Sequence, residues 1–104
     1  MIHTDQRRTL HEWAVGEFKT AKVIYVKQQT AIGDHYHKKK DEHFFLAKGT
    51  IKVLTIGSLV LKNIHAPHAF TVERGEYHKF VMTKGSILFG VTTELFDPED
   101  EIKK

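Results

Sequence analysis

Short runs of β-branched and aromatic residues, most of them ended by a glycine or a proline, recur along this chain at near-regular intervals and leave little choice of fold class. The first runs from Ala21 to Gln28 through Val23, Ile24, Tyr25 and Val26. Phe44, Phe45 and Leu46 make a second, stopped by Gly49. Thr50 to Ile56 alternates, which assigns Ile51 and Val53 to one face, and Gly57-Ser58 reads as a two-residue hairpin turn leading into Leu59, Val60 and Leu61. Ala66-Pro67 breaks the chain before Phe70 and Val72, Gly75 breaks it again, and Lys84-Gly85 turns into a last run from Ile87 to Phe96. With about eight to ten short strands and no long helical period, the chain is expected to be all-β, a sandwich or a barrel.

A length of 104 residues suits one domain with one core. Its expected parts are an N-terminal arm over 1–16, a barrel over 17–96 and a solvated tail of mixed charge over 97–104. Apolar residues at 40% and charged residues at 28% disfavour disorder, and no apolar run approaches the ~20 residues of a membrane span, so no membrane partner is expected. The start of the chain has two arginines and no apolar segment behind them, which points to the cytoplasm. Cysteine is absent, so any bound metal must be held by nitrogen and oxygen. The net charge of +3 gathers at Lys38, Lys39 and Lys40 and at Lys103-Lys104, without a nucleic-acid-binding motif; the expected partner is a small anionic molecule rather than nucleic acid.

The chemistry concentrates in Gly33-Asp34-His35-Tyr36-His37-Lys38-Lys39-Lys40-Asp41-Glu42. On an extended strand, residues i and i+2 share a face, so His35 and His37 form a two-nitrogen clamp with Tyr36 pointing away. A reversal through the lysines brings Glu42 beside them at the head of the next strand. Two imidazoles and a carboxylate suit one divalent transition metal, with iron, manganese, nickel, cobalt and zinc all admitted. His78, in a strand that places His78, Phe80 and Met82 on one face, is the expected fourth ligand.

These two stretches resemble the paired motifs of the cupin family. The spacing of His35, His37, Glu42 and Gly49 matches the first motif, and Gly75 and His78 match part of the second, where Glu73 and Met82 stand in place of the usual proline and asparagine. Gln29 also stands where the first motif usually opens on glycine. The resemblance covers roughly residues 20 to 96. It implies a cupin-type double-stranded β-helix, a jelly-roll barrel, with a mononuclear centre of three histidines and one glutamate.

On the parity that turns Glu42 and His78 inward, Phe44, Phe80, Met82, Phe89 and Val91 line the interior, while Phe45 and Val81 share the outer face of one sheet. An apolar outer face implies a covering partner, and a homodimer is expected. His43 is read as exterior, His65 and His68 as loop residues near the rim, and His3 and His11 as surface residues. The expected function is that of a metal-binding small cupin, an enzyme acting on a small anionic or carbohydrate-like substrate. Two alternatives stand beside it: a non-catalytic, metal-dependent binding protein, and a metal-independent sugar-nucleotide isomerase or epimerase, which the same barrel fold also hosts.

Overall fold

Alternation along Glu42–Lys48 becomes literal in the computed structural model, which describes residues 1–103: Glu42, Phe44 and Leu46 are buried while His43 and Phe45 turn to the other face. This strand is β5 in the order β1 (Ile2–Thr4), β2 (Thr9–His11), β3 (Thr20–Tyr25), β4 (Thr30–Tyr36), β5, β6 (Thr50–Ile56), β7 (Leu59–His65), β8 (His68–Val72), β9 (His78–Met82), β10 (Ile87–Thr92) and β11 (Ile102–Lys103). The strands form a four-stranded sheet, β3-β10-β5-β8, a five-stranded sheet, β11-β4-β9-β6-β7, and a small β1-β2 hairpin. Every pairing is antiparallel. The fold is the cupin-type jelly roll, two sheets closed over one core.

That core is drawn from both sheets. Val26, Phe44, Leu46, Val72 and Leu88 come from the four-stranded side, and Ile51, Leu54, Phe80 and Met82 from the five-stranded side. Full burial of one such side chain is worth roughly 1.5–3 kcal/mol. Phe44, Phe70 and Phe80 meet at its centre with ring centroids 5.2–5.3 Å apart. Gly57-Ser58 makes the expected tight turn between β6 and β7. Gly49 is required by close packing, because a Cβ there would sit 2.7 Å from the Ser86 Cα.

Three parity assignments change. In β6 the register against β9 shifts at Lys52, while that against β7 is unbroken, so Ile51 and Leu54 point inward and Val53 outward. A β-bulge of this kind inverts the face of everything beyond it. In β10 the inward residues are Leu88, Gly90 and Thr92, opposite Leu46, Phe44 and Glu42, which leaves Phe89 and Val91 on the outer face. Consecutive apolar residues carry no parity of their own; the partner strand imposes it. Phe45 and Val81 are both only partly buried, and they belong to different sheets rather than to one outer face.

The ends also differ from expectation. The arm folds as the β1-β2 hairpin, and beyond it Trp13 stacks on Phe45 at 5.8 Å, covering part of the outer face of the four-stranded sheet. Residues 97–103 are not a free tail. Pro98–Asp100 forms a 3-10 turn capped by the Asp97 side chain, and β11 adds to the edge of β4. Asp100 is buried because its carboxylate accepts the backbone N–H of Lys38 and of Lys39, two donors at the reversal after His37 that need acceptors. Lys104 lies outside the described residues.

Candidate metal centre

His35, His37, Glu42 and His78 reach one point from three strands. β9 lies between β4 and β6, and a register shift after Gly33, with Asp34 at φ 67°, sets His35 directly opposite His78. His37 follows one residue beyond β4, and Glu42 opens β5 in the facing sheet. The ring centroids of His35 stand 4.6 Å from those of both His37 and His78, and one nitrogen from each of the three rings lies within 4.8 Å of the others. Glu42 Oε1 is 3.1 Å from His37 Nε2 and 3.6 Å from His78 Nε2. The four residues singled out by spacing therefore converge.

Hydrogen bonds behind the rings orient them. His37 Nδ1–H donates to the Asp100 carbonyl at 3.1 Å, which fixes the hydrogen on Nδ1 and turns Nε2 toward Glu42 Oε1 at 3.1 Å. His78 Nδ1 approaches the Glu76 carbonyl at 3.4 Å in the same sense. Burial, aided by the neighbouring imidazoles, lowers the basicity of both His35 and His78, and His78 is brought down to about 4. These two rings are accordingly neutral near pH 7, the form that can ligate.

Glu42 is charged. Burial pushes its carboxyl up, but contact with His37 and the charge of Lys22 more than offset this and bring it to about 2. Its two oxygens are treated differently. Lys22 Nζ lies 3.5 Å from Oε2, whereas Oε1 accepts no hydrogen bond among the described residues although it is fully buried. An unsatisfied buried carboxylate oxygen is costly, and a cation among the three nitrogens would satisfy it. The donor set, neutral imidazoles with one carboxylate, fits a divalent transition metal.

Lys22 was not among the residues expected here. Its signal is a lysine sharing the parity of Ile24 and Val26 in an otherwise apolar strand. It crosses to Glu42 beside Gly90, its partner on β10, where a side chain would crowd the Phe44 ring and the Lys22 stem. Of the lysine run expected to draw an anion, Lys40 lines the cavity, joined by Phe96 and Glu101, to which no local pattern pointed. The cavity is small, about 140 Å³.

Other candidates lie elsewhere. His43 is on the outer face, against Thr71 at 2.9 Å and the edge of Phe18. His65 bonds Thr50 at 2.9 Å, His68 stacks on Phe70, His11 packs on Phe45, and His3 is exposed. Tyr25 is exposed, and Tyr77 donates to Asp34 at 2.5 Å, so neither phenol lines the cavity. A larger groove of about 690 Å³ adjoins the site through Phe96 and is lined by Lys38, Lys39 and Arg74 among others. Two of those cations are paired, Lys39 with Asp97 and Arg74 with Asp41, and the three histidines and Glu42 sit in the smaller cavity. Among the described residues no helix is long and apolar enough to cross a membrane.

No protein-family model matches this chain, and no curated protein matches it. Solved structures do. The TDP-fucose-3,4-ketoisomerase WlaRA of Campylobacter jejuni superposes with a TM-score of 0.78 at 17% identity, over 100% of this chain and 84% of its own. The 3,4-ketoisomerase QdtA of Thermoanaerobacterium thermosaccharolyticum, solved with TDP, gives 0.77 at 22% identity, over 100% and 83%. ChmJ, a 3'-monoepimerase of Streptomyces bikiniensis, gives 0.81 at 16%, over 97% and 64%. At these identities the likeness is one of fold.

Proposed function

We propose that this cupin-fold protein is a metal-binding enzyme whose mononuclear centre, His35, His37, His78 and Glu42, acts on a small anionic or carbohydrate-like substrate. The observation that carries this reading is the orphaned Glu42 Oε1, buried within 3.1 and 3.6 Å of two imidazole nitrogens. A bound divalent metal would supply Lewis acidity toward a carbonyl or enediol oxygen. The chain's own part is to hold two imidazoles neutral, keep the Glu42 carboxylate charged and, through Phe44 and Phe80, keep the cavity dry.

A second reading is favoured by the solved structures, sugar-nucleotide ketoisomerases matched over the full length of this chain and a 3'-monoepimerase over 97% of it. Under it the protein isomerises a nucleotide-linked keto sugar without metal, using His35, His37 or His78 in proton transfer. The sugar would occupy the histidine cavity, and the diphosphate the adjoining groove beside Lys38, Lys39 and Arg74.

One experiment separates the two. Protein purified without added metal is analysed for elements, stripped with chelator, and assayed with TDP-4-keto-6-deoxyglucose and with a panel of sugars and keto acids. About one transition metal per chain, with turnover lost on stripping and regained on reloading, supports the first reading. Ketoisomerisation that survives stripping supports the second. A loaded protein that binds a metabolite and never converts it would be a binding module.

We further propose a homodimer. Val23, Tyr25 and Phe89 stand 39%, 66% and 38% exposed in β3 and β10, an apolar outer face that a second copy would cover.

A further inference from the structure

We propose that Phe96 is the specificity-determining residue at the entrance to the histidine cavity. A substrate reaches the imidazoles through the neighbouring groove, and the Phe96 ring admits its narrow reacting end while holding its bulk outside. This concerns access to the cavity and holds with or without a bound metal.

Volume argues for that route. Pockets that take a metabolite-sized molecule run to roughly 300–1,000 Å³. The histidine cavity, at about 140 Å³, falls below that range, and the groove, at about 690 Å³, lies within it. A molecule of that size reacting at the imidazoles must leave most of itself outside the cavity. Of all the residues lining the two spaces, Phe96 alone belongs to both, so it stands where they meet.

The chain pins that position from either side. After β10 ends, Thr93 N–H donates to the Asp41 carbonyl at 3.1 Å, Asp41 N–H donates to Thr93 Oγ1 at 3.0 Å, and Glu94 pairs with Lys19 at 2.8 Å. Beyond it, the Asp97 carboxylate caps the 3-10 turn and reaches Lys39 at 3.5 Å. The backbone is held, whereas the Phe96 side chain is not: it is 67% exposed and meets no other aromatic ring among the described residues. A ring kept this far from the core forgoes the gain of burial, and the apolar face of a bound molecule would restore it. Leu95, 65% exposed, lines the groove only and supplies the natural control.

The test labels the full chain, stripped of metal and confirmed folded by circular dichroism, with two imidazole reagents: compact diethyl pyrocarbonate and the broader p-bromophenacyl bromide. Peptide mass mapping reads the rate at His35 against exposed His3 as internal standard. We expect His35 to react more slowly than His3 in wild type. Phe96→Ala should raise the His35-to-His3 ratio about fivefold or more, with the larger gain for the broader reagent, and Phe96→Trp should lower it. Leu95→Ala should leave it unchanged. Should Phe96→Ala fail to fold, Phe96→Trp carries the expectation alone. A ratio that Phe96 substitutions do not move places the entrance elsewhere, and an equal rise in Leu95→Ala shows a segment merely loosened; either overturns the inference, as does His35 reacting as fast as His3 in wild type. Elemental analysis tests the metal centre separately, so the two readings fail independently.

Discussion

Gly33 lies so close to His78 that a Cβ on it would stand 2.7 Å from the His78 carbonyl oxygen and 2.9 Å from the imidazole Cδ2. The contact follows from β4–β9 pairing, and Gly33 also holds φ +93°, a conformation that side chains other than hydrogen resist. Gly33→Ala should therefore push His78 away from Glu42. We expect a loss of about 1–3 kcal/mol in stability, with zinc affinity down by about 10–100-fold. Denaturant titration and competitive zinc titration read the two effects, and an alanine variant with wild-type zinc affinity would contradict this account.

Asp100 ties the C-terminal turn to the site from behind. Its carboxylate accepts two backbone N–H groups next to His37, and its carbonyl accepts from the His37 ring. Asp100→Ala orphans both N–H groups and frees the turn that presents the carbonyl. The expected cost is about 1–3 kcal/mol, with a weaker zinc affinity because His37 loses its fixed tautomer. Asp100→Asn keeps one acceptor oxygen and should fall between the two. Nitrogen-15 NMR of the imidazoles would show His37 shifting from a single tautomer toward a mixture in the alanine variant.

Acid should unfold the metal-free protein early. His78 is held at about 4 by burial, against an ordinary 6.5, so between those values the unfolded chain takes up a proton that the folded chain refuses. Glu42, at about 2 against 4.5, repeats this one step lower. Both shifts remove stability as pH falls, the first between pH 6.5 and 4 and the second between 4.5 and 2. The His78 step alone is on the order of 3 kcal/mol. Melting curves from pH 7 to 4 should show Tm falling by roughly 10 °C or more, and a flat profile over that range would mean His78 titrates normally.

The outer face of the four-stranded sheet gives the assembly prediction. Tyr25 and Phe89 sit in neighbouring strands, with Val23 opposite Phe89 in register. Light scattering at micromolar concentration should report a dimer of about 24 kDa, twice the 12.0 kDa chain. The double substitution Tyr25→Lys and Phe89→Lys should leave a folded monomer. A wild-type monomer at every concentration tested would dispose of the idea.

Motif spacing was enough to bring out the four converging residues, although only the His35–His37 pair is local in its geometry. A two-residue offset turns His35 and His37 the same way, but Glu42 reaches them from the facing sheet and His78 through the pairing of β9 with β4. The all-β architecture was equally plain in the glycine-punctuated runs, and so was the Gly57-Ser58 turn. Parity failed where two physical causes hide from a linear reading: the bulge at Lys52, and the apolar run of β10, whose facing depends on its partner strands.

What tertiary structure alone decided is everything around His35, His37, Glu42 and His78. Lys22 meets Glu42 because β3 and β5 flank β10 in one sheet, and Asp100 meets His37 because β11 pairs with β4. Lys40 is buried while its two lysine neighbours are not, a difference made by the chain folding over it. Such contacts join residues some twenty to sixty positions apart, and no periodicity encodes them. Local backbone geometry and side-chain chemistry are written into neighbouring residues, whereas charge balance within a cavity exists only once distant strands have closed around it.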